Sequence, residues 1–500
     1  MKYQSTRNKA VCVSSAEAIK KGLSNEGGLF VPCQIPKLSA EDISSMTTMS
    51  YNERANKILS YFLTDYTSEE IADCVNRAYN KEKFETVEIA PLYKLNNSAY
   101  FLELWHGPTC AFKDMALQIL PHLLTKAIKK TGEKREVVIL VATSGDTGKA
   151  ALEGFRDVDG TRIIVFYPES GVSDIQKRQM ITQEGNNVDI AAVVGNFDDA
   201  QNGVKKIFTD TEYAEILARN NFILSSANSI NWGRLVPQII YYFSAYATML
   251  KNEEIAPGEE INVVVPTGNF GNILAGFYAR EMGLPIKKLI CASNENNVLT
   301  DFINTGVYDK NREFKTTTSP SMDILISSNL ERFLFHITGE NEAKVNEWMA
   351  SLKETGKYDV GEDVRAKIGE IFYGDCCDDV DTALAIKDAS DGYGYVMDTH
   401  TAVAKRVYDK YVLKTGDKTK TVIVSTASPF KFNDSVLSAI YGDAILEGKN
   451  EFELLELLSE KTGMNIPAGL AGLKTKPVIF NTTCEKDEMY DVVSHMLNLG

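Results

Sequence analysis

Cysteine is scarce in this chain: eight among 500 residues, at Cys12, Cys33, Cys74, Cys110, Cys291, Cys376, Cys377 and Cys484. That is too sparse for a disulfide scaffold, and neither a CxxC nor a histidine cluster offers metal-ligand spacing, so reduced thiols and no metal are expected. Long apolar runs are also missing. The longest, such as residues 137–142 and 263–266, fall far short of the roughly 20 residues that cross a bilayer. Residues 1–21 carry repeated charges and no apolar core, unlike a signal peptide. A soluble, cytoplasmic protein away from membranes is the expectation. Nor is there a block of like charges, an internal repeat or a low-complexity tract. The net charge of −15, from 53 basic and 68 acidic side chains, repels phosphate backbones, so a small molecule is expected as partner and nucleic acid is not.

What is present is an ordinary globular balance, 44% apolar and 24% charged, long enough for about three domains of roughly 150 residues. Residues 1–90 read as mostly helical. Residues 100–104 form a short strand, and a helix is expected over 111–128, kinked or split by Pro121. From residue 135 short apolar strands (137–142, 162–167, 188–194, 261–265, 287–292, 421–425) alternate with helices (150–155, 173–185, 231–250, 273–281). That rhythm predicts an α/β fold with open, parallel sheets covered on both faces. Residues 310–380 read as irregular, and the last seventy as a polar, mainly helical tail.

In such sheets ligands sit at the carboxyl ends of strands, and three segments there have unusual composition. Thr143-Ser144-Gly145-Asp146-Thr147-Gly148-Lys149 suggests a P-loop, but that motif needs Gly at 143 and Ser or Thr at 150, where the chain has Thr143 and Ala150. A hydroxyl-rich helix start remains, suited to a carboxylate or phosphate, or serving only as a turn and cap. Pro266-Thr267-Gly268-Asn269-Phe270-Gly271-Asn272 follows a strand, and Gly268 and Gly271 allow positive φ and close backbone approach. Phe270 and Ile273 replace the glycines of a dinucleotide fingerprint, so a single phosphate fits better; a plain tight turn is the alternative. Lys113, in Ala111-Phe112-Lys113-Asp114-Met115-Ala116, stands among apolar neighbours at a helix start, where the dipole disfavours a cation. Its pKa is expected to fall, leaving a Schiff-base nucleophile; pairing with Asp114 is the alternative. An odd lysine, an anion loop and a phosphate loop on parallel strands together point to pyridoxal phosphate.

These segments, with others in the same order, resemble the threonine synthase family of fold-type II pyridoxal-phosphate enzymes. The likeness runs through Tyr3-Gln4-Ser5-Thr6-Arg7 and Gly27-Gly28-Leu29-Phe30-Val31-Pro32. It continues in His106-Gly107-Pro108-Thr109-Cys110-Ala111-Phe112-Lys113-Asp114, the most specific match, and in the 143–148 loop. Ser226-Ala227-Asn228-Ser229-Ile230-Asn231 with Arg234, the 267–272 loop, Asp398-Thr399-His400-Thr401 and Ser425-Thr426-Ala427-Ser428-Pro429 complete it. Three positions depart from the family pattern. Some members carry a lysine after the equivalent of Pro168, where this chain has Glu169-Ser170-Gly171; Ser428 replaces a histidine and Thr399 a proline.

The resemblance implies a tryptophan synthase β-like core of two mainly parallel sheets at 91–430, a family N-terminal domain at 1–90 and a helical extension at 431–500. It implies conversion of O-phospho-L-homoserine and water to L-threonine and phosphate with pyridoxal 5'-phosphate. Lys113 would hold the cofactor and carry protons. Gly268, Asn269, Phe270, Gly271 and Asn272 would wrap the cofactor phosphate, and Thr426, or else Ser425, would face the ring nitrogen. Thr143, Ser144 and Thr147 would hold the substrate carboxylate, with Asp146 orienting their loop. Asn228, Ser229 and Arg234 would take the substrate phosphate, and a second cation would replace the lysine missing after Pro168. The rival readings are a related phospho-lyase, a threonine or serine dehydratase, or a non-catalytic sensor. Monomer and homodimer both stay open.

Overall fold

The central parallel strands are apolar over nearly their whole length because both faces are covered, and the parallel strands segregate into two sheets. The computed structural model describes residues 1–143, 145–170 and 172–499. One sheet has five parallel strands in the order Thr482–Cys484, Val188–Val193, Thr161–Pro168, Glu136–Ala142 and Phe222–Ser225. The other has six, in the order Phe372–Cys376, Ile286–Ser293, Ile261–Pro266, Thr421–Ser425, Ala99–Glu103 and Leu92–Lys94, all parallel except the last. The expected α/β architecture is therefore present, and each strand read from the sequence is found within one or two residues.

The helix Trp232–Lys251 runs through the main core with almost every side chain buried. Trp232 packs on Tyr3, Phe62 and Tyr278 at ring-centroid distances of 5.3, 5.6 and 5.3 Å, which ties the N-terminal segment to this helix. Four helices lie among residues 15–78, as the composition suggested, but the strands Tyr3–Ser5, Cys12–Val13 and Phe30–Pro32 add a small antiparallel sheet. The predicted helix over 111–128 is two: a single turn, Asp114–Leu117, and Leu120–Lys130, with Pro121 in the first turn of the second. Proline lacks the N–H that a continuing helix would need, so the break falls there.

Residues 310–380 are more regular than their composition suggests. They hold the helices Leu330–Ile337, Glu342–Glu354 and Glu362–Ile371 and the edge strand Phe372–Cys376. The C-terminal stretch holds the helices Asn433–Tyr441, Glu451–Thr462 and Met489–Met496 joined by irregular chain, and its strand Thr482–Cys484 pairs with Val188–Val193. Among the described residues no helix is long and apolar enough to cross a membrane. All eight cysteines are free thiols.

Candidate active site

Lys113 leaves the six-stranded sheet just beyond Ala99–Glu103, and Asp146 leaves the five-stranded sheet just beyond Glu136–Ala142. Their side chains meet, with Nζ 3.6 Å from Oδ2, so the carboxyl ends of the two sheets face one another. The lysine segment is pinned to the chain following Thr421–Ser425: Phe112 N donates to Thr426 O (2.8 Å) and Ser428 N to Cys110 O (3.0 Å). The preceding turn is fixed by Asp114, which accepts from Thr109 N (2.8 Å) and Thr109 Oγ1 (2.7 Å). A Cβ on Gly107 would come within 2.6 Å of that carboxylate, so only glycine fits there. Burial pushes Asp114 up to about 6. It faces Thr109, and Lys113 finds its carboxylate in Asp146 instead.

Lys113 Nζ also donates to Ser321 Oγ at 3.2 Å, and its side chain is 11% exposed. Its pKa is lowered, as expected, but for another reason. The helix that follows has only four residues and offers little dipole. Burial does most of the lowering; Asp146 opposes it, and the cations Lys431 and Arg234 reinforce it.

The 143–148 loop is held from within. Thr143 Oγ1 accepts from Gly145 N (3.0 Å) and Gly148 N (2.9 Å), so this hydroxyl braces the helix start Asp146–Phe155. Ser144 lies outside the described residues, and Thr147 is half-buried. Asp146 Oδ1 accepts from Lys431 Nζ (2.5 Å) and Gln176 Nε2 (2.9 Å). Burial resists ionisation of Asp146, yet Lys431 and Lys113 hold it well below the usual carboxylate range.

In the glycine loop the positive φ falls on Phe270 (62°), not on Gly268 or Gly271 as expected. Gly268 is needed for close approach: a Cβ there would lie 3.0–3.2 Å from Ile324, Ser321 and Met322. Asn269 is exposed, and its carbonyl accepts from Asn329 N at 3.2 Å. The Asn272 side chain is turned into the core, its Oδ1 accepting from the hydroxyls of Tyr241 (2.7 Å) and Tyr242 (2.5 Å). Asn272 Nδ2 has no partner among the described residues, and the Asn272 backbone lies in the first turn of Gly271–Glu281.

At the third loop Asn228 is exposed, and its Oδ1 accepts from Ser229 Oγ (3.2 Å) and Ile230 N (3.3 Å). Asn231 caps the helix Trp232–Lys251 through Gly233 N (2.8 Å). Arg234 in its first turn is 4% exposed. One guanidinium nitrogen donates to Ala227 O at 2.8 Å, and Nε has no partner among the described residues. Burial lowers its pKa to about 10. Asn329 joins the loops, because its Nδ2 donates to Ser229 O (3.3 Å) while its backbone holds Asn269.

Ser425 Oγ is engaged, accepting from Trp105 Nε1 (3.0 Å) and Thr401 Oγ1 (3.1 Å). Thr426 lends its carbonyl to Phe112, and its hydroxyl makes no hydrogen bond among the described residues. Of the residues called from sequence, Asp146 touches Lys113, Arg234 reaches it by charge, and Gly268 adjoins it through the segment of Ser321. Lys431, Gln176, Ser321 and Asn329 were missed. Lys431 had a usable signal, since it stands between Phe430 and Phe432 much as Lys113 follows Phe112. The others lie in polar stretches that look like surface.

Family models match along the whole chain: "Threonine synthase N terminus" over residues 2–79, "Pyridoxal-phosphate dependent enzyme" over 83–427 and "Threonine synthase, C-terminal" over 401–488. Threonine synthase from Pseudomonas aeruginosa is 38% identical over 447 residues, 89% of this chain and 91% of that one. The chain belongs to the threonine synthase family. Its cofactor is pyridoxal 5'-phosphate and its fold is fold-type II. The structure of the pyridoxal-phosphate-bound threonine synthase from Brucella melitensis superposes with a TM-score of 0.88 at 36% identity, covering 99% of both chains. Human threonine synthase-like 1 is 41% identical over 436 residues, 85% of this chain. That match spans only 58% of the human protein's length.

Proposed function

We propose that this chain converts O-phospho-L-homoserine and water to L-threonine and phosphate. The observation that carries the reading is Arg234, a buried guanidinium with no acidic partner among the described residues, whose charge weighs on Lys113. Lys113 and Lys431 share the carboxylate of Asp146, and the charge of Arg234 reaches Lys113 as well. Such an excess of buried positive charge is compensated by bound anions. A cofactor phosphate and a substrate phosphate supply them; a dehydratase substrate would leave Arg234 uncompensated.

The residues fit the cofactor. Lys113 offers an amine with a lowered pKa, Gly268 permits close backbone approach, and the helix Gly271–Glu281 directs free amides toward a phosphate. Bound pyridoxal phosphate supplies an electron sink that acidifies hydrogens near the substrate's amino carbon. Lys113 Nζ, neutral part of the time, moves protons among Cα, Cβ and Cγ, while Ser321 Oγ and Asp146 Oδ2 hold it in place. Thr147 and the amides opening the helix Asp146–Phe155 orient the substrate carboxylate, with Thr143 bracing them. Asn228, Ser229 and Arg234 bind the substrate phosphate and take up charge as it leaves Cγ. The Thr426 hydroxyl, or that of Ser425, which accepts two hydrogen bonds and keeps its own O–H to donate, would face the ring nitrogen. The division into 1–90, 91–430 and 431–500 belongs to this proposal.

The test is incubation of the holoprotein with O-phospho-L-homoserine while phosphate and L-threonine are followed together. Equal release of both is expected, and Lys113→Ala should abolish it while keeping the fold. Phosphate accompanied by a 2-oxo acid would mark a lyase, and a borohydride-fixed cofactor on another lysine would remove Lys113 from its role.

A further inference from the structure

Lys431 has no part in the steps above beyond its charge, although its side chain has no solvent exposure at all. It sits on the short turn Pro429–Phe432, beyond the strand Thr421–Ser425, and donates to Asp146 Oδ1 and to Thr109 O at 3.0 Å. An ammonium so deeply buried is hard to retain without close partners, and it has two. Asp146 divides its oxygens unequally: Oδ1 takes Lys431 at 2.5 Å together with Gln176, while Oδ2 faces Lys113 at 3.6 Å. The tight contact belongs to the lysine from the C-terminal segment, and the loose one to the lysine that meets the cofactor.

We propose that Lys431 is a positioning residue: by occupying Asp146 it keeps that carboxylate from closing on Lys113 as a tight ion pair, leaving the Lys113 amine free to bond an aldehyde and to move protons. The proposal rests on the reading of Lys113 given above. The charged groups facing Lys113 are Asp146, Lys431 and Arg234 from the helix Trp232–Lys251; behind the Ser321 hydroxyl stands the His400 ring, which accepts from Ser321 N. On its own segment Asp114 is committed to Thr109. With Lys431 present, Asp146 is shared between two ammonium groups. Without it the carboxylate has Lys113 as its close cation, and a buried site favours that neutral pair. Loss of Lys431 also removes a repelling charge. Both effects hold the proton on Lys113.

The experiment uses full-length protein stripped of cofactor. Capture of pyridoxal 5'-phosphate is followed against pH, fixed with borohydride and mapped to its lysine. In Lys431→Met the midpoint of capture at Lys113 should move up by about one pH unit, and the acid limb of kcat in the reconstituted enzyme should move with it. Lys431→Arg keeps the charge and should restore the wild-type midpoint. If Lys431→Met does not fold, Lys431→Gln serves in its place, because it keeps a donor for Thr109 while removing the charge. A wild-type midpoint in a folded neutral variant, whatever its thermal stability, overturns the proposal. Capture at another lysine in the wild-type protein overturns the Lys113 reading and this proposal with it.

Discussion

Arg234 Nε has no hydrogen-bond partner among the described residues although Arg234 is only 4% exposed, and a bound phosphate would satisfy it. Arg234→Leu keeps much of the buried volume and removes the donor, so kcat/KM for O-phospho-L-homoserine should fall by about 3 kcal/mol, roughly a hundredfold. The absorbance of bound cofactor should hardly change. Near-normal phosphate release at low substrate would place the phosphate site elsewhere. Single residues of this site were legible from sequence only where their setting was anomalous. Lys113 stood out because a cation among apolar residues is improbable, and Arg234 stood out through the order of motifs around it. Asn329 and Gln176 did not, because amides in polar stretches carry no signature. Nothing in the sequence revealed that Tyr241 and Tyr242 would claim the side-chain oxygen of Asn272.

At the scale of elements, the glycine loop separates two effects that the sequence reading had merged. A Cβ on Gly268 meets Ser321 O at 3.1 Å and Met322 Cα at 3.2 Å, so substitution there displaces the segment that holds Lys113. A Cβ on Gly271 finds its nearest neighbour, Asn329 Nδ2, at 3.4 Å, in a helical turn with no positive φ. Gly271→Val should therefore fold with a thermal midpoint near wild type. It should weaken cofactor binding at least tenfold, about 1.4 kcal/mol, because its branched side chain stands among the amides that face the phosphate. An unchanged cofactor titration would take the loop out of phosphate binding. The apolar strands of the sheets were readable because burial on both faces writes them as continuous apolar runs. Phe372–Cys376 was not: glycine and aspartate break its pattern, and as an edge strand it has one neighbour, Ile286–Ser293. Phe222–Ser225, four residues leading into a polar loop, was too short to stand out.

Across the whole molecule, buried histidines make the fold sensitive to acid. Burial pushes His122 down from the usual 6.5 to about 3, and neither of its ring nitrogens has a partner. His336, bonded to the Tyr278 hydroxyl at 2.8 Å, is pushed down to about 4. The unfolded chain takes up protons at these sites below pH 6.5 while the folded chain refuses them, so their contribution to stability falls as pH drops toward 4 and then 3. Asp114 and Asp189, each raised to about 6, work the other way: the folded chain takes up those protons first, and relief comes as pH falls through 6. A difference measurement isolates one histidine. The stability of His122→Phe relative to wild type should rise by about 2 kcal/mol between pH 7.5 and pH 5. Urea titrations at the two pH values check this, and a pH-independent difference would mean that His122 is protonated in the folded protein.

The five-stranded sheet is completed by Thr482–Cys484, which pairs with a strand about 290 residues earlier in the chain. During synthesis, at roughly 5–20 residues per second, the Val188–Val193 edge therefore emerges and waits on the order of tens of seconds before its partner leaves the ribosome. An apolar strand with an open edge is a template for pairing with other chains. The nascent protein thus passes through a long interval in which shielding of that edge by a chaperone, rather than native stability, decides between assembly and aggregation.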